Sequence, residues 1–137
     1  MAKAFGNVLI MFPDQVSDVF ISKLRLCDEY QSLVLCVPSR EEEDRLSQVG
    51  FQHVYVMNYR DKRKLIEMVG PFVEKIIVVE SGFLECCQTI ELIRSIYNIP
   101  VYVIKSDTRY ITSVYKELGA DYVIYNKTGN IQFLLSS

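Results

Sequence analysis

A doubly wound, three-layer α/β domain is the fold class this sequence predicts, and three observations predict it. Short apolar runs recur along the chain, the runs are continuous rather than alternating, and the segments between them carry helical spacing. Continuous apolar character means burial on both faces, as in parallel strands covered by helices. Strand and helix alternate in this way to about six strands, which builds an open parallel sheet with helices on both sides.

The elements come in order along the chain. VLIMF (8–12) is the first strand and runs into a turn, Phe12-Pro13-Asp14-Gln15, that has no glycine. LVLCV (33–37) is the second strand, and the EEED run (41–44) after it sits where a helix should begin, because carboxylates are favoured there by the helix dipole. HVYVM (53–57), KIIVV (75–79), VYVIK (101–105) and YVIY (122–125) complete the set. Gly50, Gly70 and Gly119 each stand shortly before a strand-like run and are read as left-handed helix terminators. In GFLECCQTIELIRSIYN (82–98), Phe83, Cys86, Cys87, Ile90, Ile93 and Tyr97 fall on one helical stripe. A further helix is expected over 109–118. With a crevice between the first and fourth strands, the whole is a Rossmann-type domain. No linker, low-complexity tract or second domain interrupts it, so 1–137 reads as a single domain.

Composition narrows the function classes. Half of the 137 residues are apolar and 23% are charged, which excludes a disordered chain. The net charge of −2 argues against a nucleic-acid surface, which carries a basic excess. The apolar runs are far shorter than a membrane span, and the start of the chain lacks the pattern of a secretion signal, so no direct membrane insertion is expected. Cys27, Cys36, Cys86 and Cys87 lack the spacing of a disulfide framework and fit reduced thiols in a cytoplasmic protein.

The stretch from about residue 33 to 126 resembles the RCK/KTN (TrkA-N) regulatory domains of potassium channels and transporters. The resemblance lies in the order and spacing of EEEDRLSQVGFQHVYVMNYRD (41–61), KLIEMVGPFVEKIIVVES (64–81) and IRSIYNIPVYVIKSDTRYITSVYKELGADYVIY (93–125). The helix closing on LGAD before the last strand is the most telling piece. The family's smaller carboxyl-terminal lobe has no counterpart beyond the sixth strand. The resemblance implies an RCK N-lobe-like domain that is cytoplasmic, forms homo-oligomers and acts on a membrane-embedded potassium channel or transporter subunit.

The departures bear on the ligand. Aligned on the first strand, the family's G-x-G-x-x-G loop falls on Phe12, Asp14 and Ser17, so all three glycines are missing. Each glycine has a job, namely a tight turn, close approach to a pyrophosphate, or close helix–strand packing. Asp14 adds like-charge repulsion. The acid that would hold the ribose at the end of the second strand falls near Val37, which has no acceptor, and the polar turn after the third strand reads Met57-Asn58-Tyr59-Arg60-Asp61. A degenerate nucleotide site, with no cofactor held in the usual way, is expected.

The carboxyl ends of the strands still carry Asp14, Gln15, Ser39, Arg40, Asn58, Glu80, Ser81 and Lys105 as candidate crevice residues. They fit a modified ligand site, for a nucleotide in another pose or a cation near Asp14 and Glu80, or simply wet loop ends. Cys86 and Cys87, near a helix start, fit either thiols of lowered pKa or small buried apolar residues. His53 has no metal-ligand neighbours at useful spacing and reads as a strand-edge residue. RDKRK (60–64) reads as a solvated helix start. No Ser-His-Asp set or G-x-S-x-G motif occurs, so a non-enzyme is expected. Ile96, Tyr97, Tyr110, Ile111, Val114 and Tyr115 are candidates for a homodimer face or for one side of the core. The rival readings are a nucleotide-sensing Rossmann module and a pseudo-receiver signalling domain. The pseudo-receiver would use Glu80 and Lys127 but calls for five strands, where six are counted.

Overall fold

The computed structural model describes residues 8–27, 33–57, 61–69, 73–80, 82–105, 112–126 and 131–135. Over these residues strand and helix alternate as the sequence predicts. The elements are β1 (Val8–Met11), α1 (Asp18–Arg25), β2 (Val34–Val37), α2 (Arg40–Gln48), β3 (His53–Val56), α3 (Lys62–Val69) and β4 (Lys75–Val79). Then come α4 (Phe83–Arg94), β5 (Val101–Lys105), α5 (Thr112–Leu118), β6 (Tyr122–Tyr125) and a short α6 (Gln132–Leu135). Every pairing is parallel and the strand order is β3-β2-β1-β4-β5-β6. The order reverses between β1 and β4, the position expected for the crevice.

The pleat divides the core between two helical layers. Leu9, Met11, Cys36, Ile76, Val78 and Val103 face the layer of α3, α4 and α5, where Leu65, Cys86, Ile90 and Ile93 meet them. Ile10, Phe12, Leu35, Val37, Ile77 and Ile104 face the layer of α1, α2 and α6, where Phe20, Leu24, Leu46 and Leu134 meet them. Burial on both faces explains why β1, β2, β4 and β5 lack alternation, whereas the edge strands β3 and β6 are apolar runs left partly uncovered. Each fully buried aliphatic side chain contributes roughly 1.5–3 kcal/mol.

Helix ends obey local chemistry. Gly50 and Gly119 have φ of 111° and 128°, the left-handed geometry read from sequence, while Gly70 lies outside the described residues. Helix α4 stops at Arg94, and the chain leaves it through Ile96 N–H and Tyr97 N–H, which both donate to Ile93 O at 3.0 and 2.8 Å. Arg94 fixes that exit. Its Nε donates to Gly119 O at 2.6 Å, its Nη1 donates to Ile99 O at 2.9 Å, and its Nη2 pairs with Asp121. Asp121 also accepts the Val101 N–H at 2.8 Å. The LGAD segment is therefore a staple joining α4, α5, β5 and β6.

The apolar residues proposed for a dimer face lie mostly inward. Tyr115 is fully buried, and Ile96, Tyr97 and Val114 pack against the core. The Tyr97 hydroxyl is itself buried. Their stripe faces the sheet because α4 and α5 cover β4, β5 and β6. Tyr110 and Ile111 lie outside the described residues. Among the described residues, the exposed aromatics are instead Tyr55 on the edge strand β3 and Tyr122 and Tyr125 on the edge strand β6. His53 begins the other edge strand, β3, and residues 61–64 at the start of α3 are exposed.

Candidate functional site

The turn after β1 is built around a buried aromatic. Phe12 N–H continues the strand pairing by donating to Cys36 O at 2.9 Å. The Phe12 ring is buried and meets Phe20 of α1 edge-on, with centroids 5.5 Å apart. Such a pair adds roughly 0.5–1.5 kcal/mol beyond its buried area. Helix α1 thus packs on a phenyl ring where a glycine would allow close backbone contact. Asp14 and Gln15 are exposed, and Asp14 Oδ1 accepts the Gln15 N–H at 2.8 Å. Val16 turns inward and is buried, and Ser17 caps α1 by accepting the Phe20 N–H at 3.1 Å.

The start of α2 reaches across to this turn. Ser39 is the N-cap, and its hydroxyl accepts the Glu42 N–H at 3.3 Å. Glu42 is buried, and its carboxylate accepts the Val16 N–H at 2.9 Å. Arg45, one turn on, donates from Nη1 to Val16 O at 2.7 Å and to Glu42 Oε1 at 2.9 Å. Its Nη2 pairs with Asp18, and this bond is the main reason the guanidinium pKa is raised. Arg40 is exposed. A third helix start is capped in the same style, with Asp61 Oδ1 accepting the Lys64 N–H at 3.1 Å.

On the other side of the switch point, the ends of β4 and β5 carry a buried ion pair. Lys105 Nζ lies 2.9 Å from Glu80 Oε2 and 3.1 Å from Oε1, with side-chain exposures of 2% and 4%. Tyr115 of α5 donates its hydroxyl to the same carboxylate, and Lys105 Nζ sits 5.6 Å from the Tyr115 ring centre. Desolvation pushes the Tyr115 hydroxyl pKa well up, and the bond to Glu80 adds to it. Burial likewise pushes the thiols of Cys36 and Cys86 up to about 12 and raises that of Cys87. Reactive thiols at a helix start are thereby corrected. Cys86 and Cys87 point into the core and are desolvated, which outweighs any pull of the helix dipole.

Of the residues singled out from sequence, the structure brings Glu80 and Lys105 into contact. Asp14 and Gln15 share the first turn, Ser39 and Arg40 open α2, and Asn58 and Ser81 lie outside the described residues, as does Lys127. A cation between Asp14 and Glu80 is a poor fit, because the Glu80 carboxylate already binds an ammonium and a phenol. No group of three acidic, histidine or cysteine residues with metal-site geometry occurs among the described residues. Among them, too, no helix is long and apolar enough to cross a membrane. Glu42, Arg45 and Tyr115 are the site residues that sequence reasoning missed or misplaced. Ser39-x-x-Glu42 is a capping-box pattern and was the one available signal.

Comparison with known proteins bears on the fold. No protein-family model matches the sequence, and no curated protein matches it. Solved structures do match. The TrkA-N domain of inner membrane protein ybaL from Escherichia coli has a TM-score of 0.67 at 16% identity, over 98% of this chain and 97% of that one. The NAD(P)-binding domain of an exopolyphosphatase-related protein from Archaeoglobus fulgidus has 0.69 at 14%, over 94% of both chains. The GsuK RCK domain has 0.67 at 16%, over 87% of this chain and 25% of that one. This chain thus spans about a quarter of the GsuK chain, which also matches as a channel bound to NAD. The chain has the Rossmann-type fold of RCK and TrkA-N domains.

Within the RCK fold, the departures from the glycine loop acquire a physical form. Of the three positions that the sequence aligns with the glycines, Phe12 has a buried ring, Asp14 an exposed carboxylate and Ser17 a capping hydroxyl. Val37, at the end of β2, is fully buried against the α1–α2 layer and presents nothing polar to a ribose.

Proposed function

We propose that the chain is a non-catalytic regulatory and assembly domain of a potassium channel or transporter, working on the cytoplasmic side. Residues 1–137 form one RCK N-lobe-like domain, and its crevice does not take a dinucleotide in the usual pose. The fold shared with RCK and TrkA-N domains supports the regulatory class. The observation that carries the ligand reading is the state of the β1–α1 turn. Its Val16 N–H is bonded to Glu42, the α1 start is capped by Ser17, and Phe12 fills the space at the first glycine position. A pyrophosphate in a Rossmann crevice needs free amides at that helix start and a side-chain-free turn.

The domain works as a homo-oligomer joined to a membrane-embedded potassium channel or transporter subunit, and it contacts neither nucleic acid nor the bilayer interior. Asp14, Gln15, Ser39, Arg40 and Glu80 are the residues we assign to the remaining crevice, where any regulatory ligand would enter, with Asn58 and Ser81 assigned from the sequence alone. Two measurements test this. Calorimetry with NAD and NADH is expected to give no binding in the micromolar range, and a micromolar or tighter Kd for either would overturn the ligand reading. Sedimentation at tens of micromolar is expected to give species larger than the 15.9 kDa monomer, and a monomer alone would count against assembly.

A further inference from the structure

Glu42 behaves unlike the acid of an ordinary capping box. In that motif, the acid three residues after the N-cap folds back onto the N-cap's own N–H. Here half of the box is made, because Ser39 Oγ accepts the Glu42 N–H. The carboxylate instead leaves its helix and accepts the N–H of Val16, a residue 26 positions earlier. Arg45 completes the arrangement from the same helix by donating to Val16 O and to both oxygens of Glu42. Both backbone groups of Val16 are therefore held by one Glu–Arg pair, while its side chain is anchored in the core.

A carboxylate gripped by a backbone amide and a guanidinium is the chemistry by which proteins hold free phosphates and carboxylates. Glu42 is 6% exposed, so this anion is shielded from water and kept by the two donors. We propose that the Glu42 carboxylate is a tethered occupant of the β1–α1 turn, withholding the Val16 amide and the Arg45 guanidinium from any free phosphate. The contact is autoinhibitory: it keeps the first turn closed while α2 stays docked. It deepens the reading that this crevice does not take a dinucleotide in the usual pose, and rests on it.

The proposal predicts that removing the tethered anion creates a site for a free one. The test uses Glu42→Ala and Glu42→Gln in the full chain, with inorganic phosphate as the probe against chloride at equal ionic strength. Phosphate stabilises most folded proteins by exclusion from their surface, so the quantity read is the Tm gain of each variant minus that of the unaltered protein. At tens of millimolar phosphate, Glu42→Ala is expected to gain roughly 3 °C or more over the unaltered protein, by mass action. Arg45→Met added to Glu42→Ala should abolish the difference. Glu42→Gln still covers the Val16 N–H but removes the negative charge that pairs with Arg45, so it frees the guanidinium for phosphate and remains informative if the alanine variant does not fold. It too should gain more than the unaltered protein. A variant gain no larger than that of the unaltered protein, in whichever variant folds, overturns the proposal. The two readings fail separately. A micromolar NAD affinity in the unaltered protein would sink the functional reading, whereas equal phosphate gains would sink the tether and leave the absence of NAD binding standing.

Discussion

Two polar clusters flank the point where the strand order reverses, and they handle charge in opposite ways. On the β1–β2 side, Glu42 and Arg45 act on backbone groups of the Val16 turn, and their outer partner Asp18 is 91% exposed. On the β4–β5 side, Glu80, Lys105 and Tyr115 act on one another, almost wholly out of water. Water and backbone moderate the first cluster. In the second, each charge depends on its partner, because desolvation is costly unless the pair stays complete. The difference teaches that the first cluster shapes a turn while the second fixes α5 against the sheet.

The sharpest way to break this comparison is to probe access to the buried side. Cys36 and Cys86, on the α3–α4–α5 face, have thiols pushed from an ordinary 9.0 up to about 12. The thiolate fraction near neutral pH is then lower by roughly a thousandfold. A thiol reagent at pH 8 should leave both unmodified in the folded protein and react at once in denaturant. The raised pKa sets the sign of the linked stability. The contribution is full below pH 9, because the unfolded chain releases its thiol protons first, and it falls as pH climbs towards 12. Rapid labelling of Cys86 in the native protein would show that this layer is not sealed.

Removing one partner of the buried pair should have the largest effect on stability. Lys105→Met leaves the Glu80 carboxylate buried without its ammonium and is expected to cost about 3–5 kcal/mol in urea unfolding. Adding Glu80→Leu should recover most of that loss, and a loss below about 1 kcal/mol for Lys105→Met would place the pair in the wetter class. Next comes Gly119→Ala, which sharpens the account of the LGAD staple. A Cβ there would lie 2.3 Å from Arg94 Cγ, at a φ of +128°. Arg94 is held by several bonds and has little room to yield. The expected loss is roughly 1–3 kcal/mol by thermal melting, and an unchanged Tm would mean that the staple moves freely.

The turn side should respond more mildly. Ser17→Ala removes the cap of α1 and is expected to cost about 1 kcal/mol, measured by urea unfolding. Asp18→Asn should change stability by no more than about 0.5 kcal/mol, since an ion pair this exposed is worth little. Were Asp18→Asn to cost as much as Ser17→Ala, the outer part of the Arg45 cluster would be structural rather than incidental.

The sequence alone determined the sheet and its layers. Six continuous apolar runs, two left-handed glycines at Gly50 and Gly119, and the acidic start of α2 are local signals, and the physics that forms these elements is local as well. The absence of glycine from the turn after β1 was equally legible, because Phe12, Asp14 and Ser17 are identities at counted positions. Only tertiary structure decided which polar residues meet. Glu42 finds Val16 across 26 positions and Lys105 finds Glu80 across 25, and no periodicity within either segment encodes the partner. It also decided that Tyr115 and Cys86 face inward. An apolar helical stripe looks the same whether it meets a sheet or a second subunit, and only the strands that α4 and α5 cover distinguish the two.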